Sequence, residues 1–209
     1  MRNSPIDAVL LTNADVDHSL GLVLMRQREP PPLIVYANAG TRTALDWIDT
    51  IFTPFCGIEW RVLGPEHSRD FMPIGNGIAL RTIDLHKKAA FQLRDKISKA
   101  LVLVAPTVGE LTDELRNAVN GSDVILFDGT FWSDDELRAV WPNAPAAREM
   151  DHLPIKDGSL AFLRLSPARR KIYIHMNNTN PILMPGSSER NQVEQAGIEI
   201  ACDGLEIEL

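Results

Sequence analysis

Only two of the 209 residues are cysteine, Cys56 and Cys202, far apart in the chain and in no CxxC spacing. That excludes a disulfide framework and a zinc-finger pattern, and it fits a reducing compartment, so a cytoplasmic location is expected. Basic excess is lacking too: the net charge is −7 and the sequence pI about 5.2. A general nucleic-acid or membrane-surface binder needs a basic face, so neither partner is expected. No apolar run reaches the ~18 residues of a membrane span. The N-terminal run IDAVLL is short and acidic residues follow it at once, which is unlike a signal peptide. There is no GxSxG, no GxGxxG and no P-loop pattern, so neither a serine nucleophile elbow nor a nucleotide site has motif support.

What is present is an alternation of short apolar runs with amphipathic stretches. IDAVLL (6–11), LIVYA (33–37), IEWRVL, IALRTIDL, ALVLVA (100–105), DVILF (123–127) and KIYI (171–174) predict strands. Residues 19–27, 42–52, 110–119 and 187–197 predict helices, with another over DDELRAV capped by Ser133. GPEHSRDFMPIGNG reads as a turn-rich connection, and IEIACDGLEIEL as a closing hairpin around Asp203-Gly204. Nearly continuous apolar strands call for a sheet covered on both faces, hence one α/β domain over residues 1–209.

Three of these strands end in unusual polar chemistry. TNADVDH (12–18) follows IDAVLL, DGTFWSDDE follows DVILF, and HMNNTNP follows KIYI. Ligands bind at the carboxyl ends of parallel strands, so parallel pairing brings Asp15, Asp17, His18, Asp128, His175 and Asn177–Asn180 to one rim. Each also has a plain structural use. Asp17 can cap a helix and Asp15 can be a solvated turn residue. Asp128-Gly129 and the asparagines before Pro181 can form turns. His152, His86 and His67 can be surface residues, and Trp132 can wall a pocket. Together, Asp17, His18 and His175 can form the two-histidine, one-carboxylate set that suits Fe(II), with Mn or Zn as other fits.

TNADVDHSLGL resembles a degenerate HxHxDH motif of the metallo-β-lactamase superfamily, with Asn13 and Asp15 in place of the first two histidines and Asp17-His18 retained. With FDGTFWSDDEL (127–137), DHLPI (151–155), KIYIHMNNTNPIL (171–183) and GIEIACDGLEIEL, the chain resembles the coenzyme PQQ synthesis protein B family from residue 3 to residue 209. The resemblance implies a metallo-β-lactamase-like αβ/βα sandwich and a role in making pyrroloquinoline quinone (PQQ) from a peptide precursor. It implies an iron-dependent hydroxylase of the tyrosine in a Glu-Tyr unit, with Asp17, His18 and His175 on the metal. His152, Asp15 and Asp128 would be the catalytic groups, and Asn13, Trp132, Asn177, Asn178 and Asn180 would shape the substrate pocket. Loss of two motif histidines weakens a dinuclear zinc site and suits a single Fe(II).

Two other readings stay open: a zinc-dependent hydrolase, and a carrier of PQQ or its precursor that would need cations such as Arg42, Lys87, Lys88, Arg94 or Arg148 near the rim. The family's glycine-rich first strands and cysteine cluster are expected to be absent here, so an N-terminally truncated fold is anticipated, with a sheet edge that favours a homodimer. LHKKAAFQLRD (85–95) reads as a shortened loop, and Asp151 stands where the family tends to have glycine.

Overall fold

The computed structural model describes residues 5–27, 29–86 and 88–209. They form two compact units, residues 5–70 with 86–89, and residues 71–85 with 90–209.

In the first unit, β1 (Ala8–Leu10) runs through TNADVDH into α1 (Val16–Ser19). Next come β2 (Leu33–Asn38), α2 (Ala39–Ala44), α3 (Asp46–Phe52) and β3 (Ile58–Leu63). The strands pair in parallel in the order β1-β2-β3, with Leu10 opposite Tyr36 and Tyr36 opposite Arg61. Leu33, Val35, Ala37, Ile48 and Phe52 are fully buried and make the core of this unit. The helix expected over 42–52 is two helices, because Leu45 leaves helical geometry at φ −105°, ψ 16°. The Asn38 side chain caps α2 by accepting from the Thr41 N–H at 2.7 Å. The helix expected over 19–27 is a 3-10 segment, Leu20–Met25, in which only Leu22 is buried. Without a buried i, i+4 stripe, nothing in packing holds a longer α-helix there.

The second unit contains β4 (Met72–Gly75), β5 (Ile78–Leu85), β6 (Lys88–Asp95), β7 (Leu101–Ala105), α4 (Asp113–Asn120), β8 (Val124–Asp128), α5 (Leu160–Arg164), β9 (Arg170–Ile174), α6 (Ser188–Gln195) and β10 (Glu199–Ile200). The sheet order is β10-β9-β8-β7-β6-β5-β4. β7, β8, β9 and β10 run parallel to one another, whereas β6 is antiparallel to β7 and β4 to β5. β8 is apolar up to Asp128 and almost wholly buried, and β7 is apolar with Leu103 and Ala105 buried. α4 offers Leu115, Ala118 and Val119 at i, i+3, i+4 to the core, and Thr112 caps it by accepting from Leu115 N–H at 3.2 Å.

Lys88–Asp95 is the strand β6, with Phe91 opposite Val104. Three local expectations are corrected. The turn-rich segment holds a 3-10 turn at Pro65–Ser68 and the edge strand β4, with Met72 opposite Leu80. Ser133 caps no α-helix; its hydroxyl donates to Asp135 at 2.9 Å, and only a 3-10 turn forms over Glu136–Ala139. The tail is not a hairpin. β10 pairs in parallel with β9, and arginines hold the following segment: Arg170 donates to the Glu199 carboxylate and the Glu206 carbonyl, and Arg169 to the Glu208 carbonyl. No helix among the described residues is long and apolar enough to cross a membrane.

Tyr173 on β9 is fully buried, and its hydroxyl is 2.9 Å from that of Ser159. Burial pushes its phenol far above the ordinary range, with the charge of Asp128 adding to the shift. Between the ordinary tyrosine pKa of ~10 and the higher folded value, the native chain holds a proton that the unfolded chain has lost, so stability falls as pH rises. Tyr173→Phe is expected to cost about 1 kcal/mol at neutral pH and to remove that alkaline slope. Urea midpoints at neutral pH and at about pH 11 measure both effects; equal slopes in the two proteins would contradict the assignment.

Candidate metal centre

β8 and β9 are parallel neighbours with Asp128 opposite Ile174, so Asp128 and His175 leave the same edge of the sheet. This is the edge where α/β sheets bind ligands. Asp128 is fully buried, and its carboxylate accepts four hydrogen bonds. Oδ1 takes the Thr130 N–H at 2.9 Å and the Thr130 hydroxyl at 2.6 Å. Oδ2 takes the Val108 N–H at 2.8 Å and His152 Nδ1 at 2.7 Å. The His152 ring is edge-on to Phe131, with centroids 5.7 Å apart, and stacks on His175 at 5.5 Å.

His175 lies one residue beyond β9 at φ 58°, in the left-handed region that turns the chain off the strand. Its Nδ1 is 2.7 Å from the Thr130 hydroxyl. That hydroxyl has one proton, and the Asp128 carboxylate is the strongest acceptor in reach, so the Thr130 oxygen accepts from a protonated His175 Nδ1. Both imidazoles are therefore tied through Nδ1 to Asp128, one directly and one through Thr130, which makes Nε2 the nitrogen that would reach a metal. A carboxylate fixing histidine tautomers is the usual support of a metal site. Asp128, His152 and His175 each offer a donor atom within 4.8 Å of the others. Two imidazoles held by one carboxylate suit Zn(II) or a single Fe(II).

The other residues singled out in the sequence have the following surroundings, each within its own unit. In the first unit, Asp15 precedes α1 and lies 3.8 Å from the Lys88 ammonium, with no side-chain capping bond. Asp17 is on the first turn of α1, exposed, 3.7 Å from His18, whose Nδ1 is 3.1 Å from the Thr12 hydroxyl. Asn13 is buried and accepts from the Asp15 N–H at 3.0 Å, a turn-forming bond. In the second unit Asn180 is buried, Asn177 half-buried and Asn178 exposed. Trp132 is buried and lines a cavity of about 560 Å³ together with Glu136, Arg138, Val140 and Thr179.

Three contributors went unread in the sequence: Thr130, Glu136 and Thr179. Thr130 follows Asp128 in DGT, where a hydroxyl two residues after a buried carboxylate is the available signal. Glu136 looked like a first-turn helix acid. It is half-buried, and burial raises its carboxyl above the ordinary range against the opposing bonds from Thr179 and Trp132. Asp151, before His152, adopts φ 65°, ψ 38°, the left-handed geometry in which glycine is the least costly residue.

A model of the β-lactamase superfamily domain matches residues 1–176. Coenzyme PQQ synthesis protein B of Cupriavidus necator is 34% identical, the alignment covering 100% of this chain and 75% of that protein. The protein of the same name from Rhizobium meliloti is 33% identical, covering 100% and 74%. The crystal structure of Zn(2+)-bound PqqB from Methylobacterium extorquens matches with a TM-score of 0.86 at 29% identity, over 100% of this chain and 73% of that one. A diphosphatase of the PhnP family matches with a TM-score of 0.70 at 18% identity and shares the fold. With its α/β architecture that of the metallo-β-lactamase fold, the chain belongs to the coenzyme PQQ synthesis protein B family.

Proposed function

We propose that this chain is a metalloprotein of PQQ biosynthesis that uses Fe(II) to hydroxylate the tyrosine of a Glu-Tyr precursor. The observation that carries the metal part is the set of Asp128, His152 and His175, with donor atoms within 4.8 Å of one another at the carboxyl edge of β8 and β9. An iron with open positions supplies the redox partner that triplet oxygen needs to react with a closed-shell ring. Asp128 holds the two imidazoles in one tautomer, His152 directly and His175 through Thr130. Phe131 packs edge-on against His152 and limits its rotation. Where His152 does not itself hold the metal, its Nδ1 bond to Asp128 leaves Nε2 to pass a proton. The metal-ligand role that the resemblance assigns to Asp17 and His18 belongs to the same proposal, and metal retention in Asp17→Ala and His18→Ala tests it.

The zinc-bound relative favours a second reading, a zinc hydrolase, in which the metal supplies an activated water and no redox change. The test is anaerobic loading with Fe(II) or Zn(II), metal analysis after desalting, and then Glu-Tyr with O₂. Roughly one ion per chain is expected, lost in His175→Ala, together with a product one oxygen atom heavier. Zinc retention with hydrolysis and no oxygen gain would support the second reading. A folded chain that holds PQQ but no metal would leave the carrier reading instead.

A further inference from the structure

β8 and β9 each end in a turn that carries site residues, 128–132 and 175–180. The His175 turn starts from a left-handed histidine, a geometry that persists only when its surroundings over-determine it. Several bonds tie the two turns together. The Asn177 N–H donates to the Thr130 carbonyl at 3.0 Å, and Asn180 Nδ2 to the Gly129 carbonyl at 2.8 Å. Glu136 joins both turns from outside them. Its Oε2 accepts from the Trp132 N–H at 2.6 Å, and its Oε1 from the Thr179 hydroxyl at 2.5 Å. The Thr179 oxygen accepts in turn from Asn177 Nδ2 at 2.7 Å.

A carboxylate is the side chain that can accept at both ends; an amide in its place would set an NH₂ against one of the two donors. Half-burial makes this charge costly, so its presence in the cavity wall needs an offset, and the two short charge-assisted bonds supply it. The same bonds occupy both of its oxygens with partners in the two turns. We propose that Glu136 is a positioning residue of the metal centre, acting through Thr179 to hold the His175 turn against the Asp128 turn. This rests on the metal-centre reading above.

The test uses the full chain with Thr179→Val, Thr179→Ser, Glu136→Gln and Glu136→Ala. Two readouts are taken: Zn(II) affinity by competition with a chromophoric chelator, and the ring signals of ¹⁵N-labelled histidines in the metal-free protein. Thr179→Val removes the hydroxyl at nearly constant volume. It and Glu136→Ala are expected to weaken Zn(II) binding about 10–100-fold, as supporting residues of metal sites do, and to shift or broaden the His175 signals. Thr179→Ser should restore both, and Glu136→Gln should fall between. Wild-type affinity and unchanged His175 signals in Thr179→Val, or no recovery in Thr179→Ser, would overturn the proposal. A wild-type chain that takes up no Zn(II) would sink the metal-centre reading, and the histidine signals would then decide the brace on their own.

Discussion

Asp128→Ala is expected to lower the unfolding free energy by about 3–5 kcal/mol, the range seen when one partner of a buried, bonded charge is removed. The carboxylate is fully buried and is the acceptor for two backbone N–H groups, one hydroxyl and one imidazole. Alanine leaves the Val108 and Thr130 N–H groups inside the protein without this acceptor, and each such loss costs about 1–3 kcal/mol. Asp128→Asn preserves volume but not acceptor count. Each carboxylate oxygen takes two donors, so either orientation of the amide sets its NH₂ against two of them; a cost of roughly half that of alanine follows. Urea unfolding with an unchanged m-value measures both. The same substitutions should abolish stable metal retention, because both imidazoles lose the group that orients them. A loss below about 1 kcal/mol in Asp128→Ala would mean that the carboxylate is not the hub the hydrogen bonds describe.

The asparagine turn gives the second large effect and carries its own control. Asn180 is 1% exposed. Its Nδ2 reaches the Gly129 and Thr130 carbonyls at 2.8 and 3.3 Å, and its Oδ1 accepts from the Ile182 N–H at 3.1 Å, capping the 3-10 turn Pro181–Leu183. Asn180→Ala removes a cap and a buried tether together, a combined cost of about 2–3 kcal/mol. Asn178, two residues earlier, is exposed. Asn178→Ala is expected to stay within about 0.5 kcal/mol of wild type. Thermal and urea unfolding of the pair, followed by Zn(II) retention, separates the two positions. Equal effects would refute the assignment of Asn180 as the structural member of the cluster.

The parallel strands were legible because buried parallel strands must be apolar along their whole length, and LVLVA, VILFD and KIYI have no other reading of comparable strength. The density of polar groups just after such strands also marked Asp128 and His175 as candidates, since ligand chemistry collects at strand ends, whereas His152 entered only through the family resemblance. Local chemistry set the caps Thr112 on α4 and Ser187 on α6, each a hydroxyl three residues ahead of the N–H it accepts.

What stayed hidden was partnership across distance. β6 was missed because KAAFQLRD, with a charge at each end, gains its strand character from pairing with β7 rather than from its own pattern. The tail looked like a hairpin because Asp203-Gly204 is a good turn, yet β9 offered Glu199 and Ile200 a parallel partner and Arg169 and Arg170 took the carbonyls beyond. HMNNTNP shows the division most clearly. Its composition announced a turn at the end of a strand. Which asparagine is buried, which is exposed, and that Thr179 reaches Glu136 depend on a contact 43 residues apart in sequence. Residue type determines what a side chain can donate or accept; only the folded chain decides which donor meets which acceptor, because burial makes each unmet group costly enough to select one arrangement.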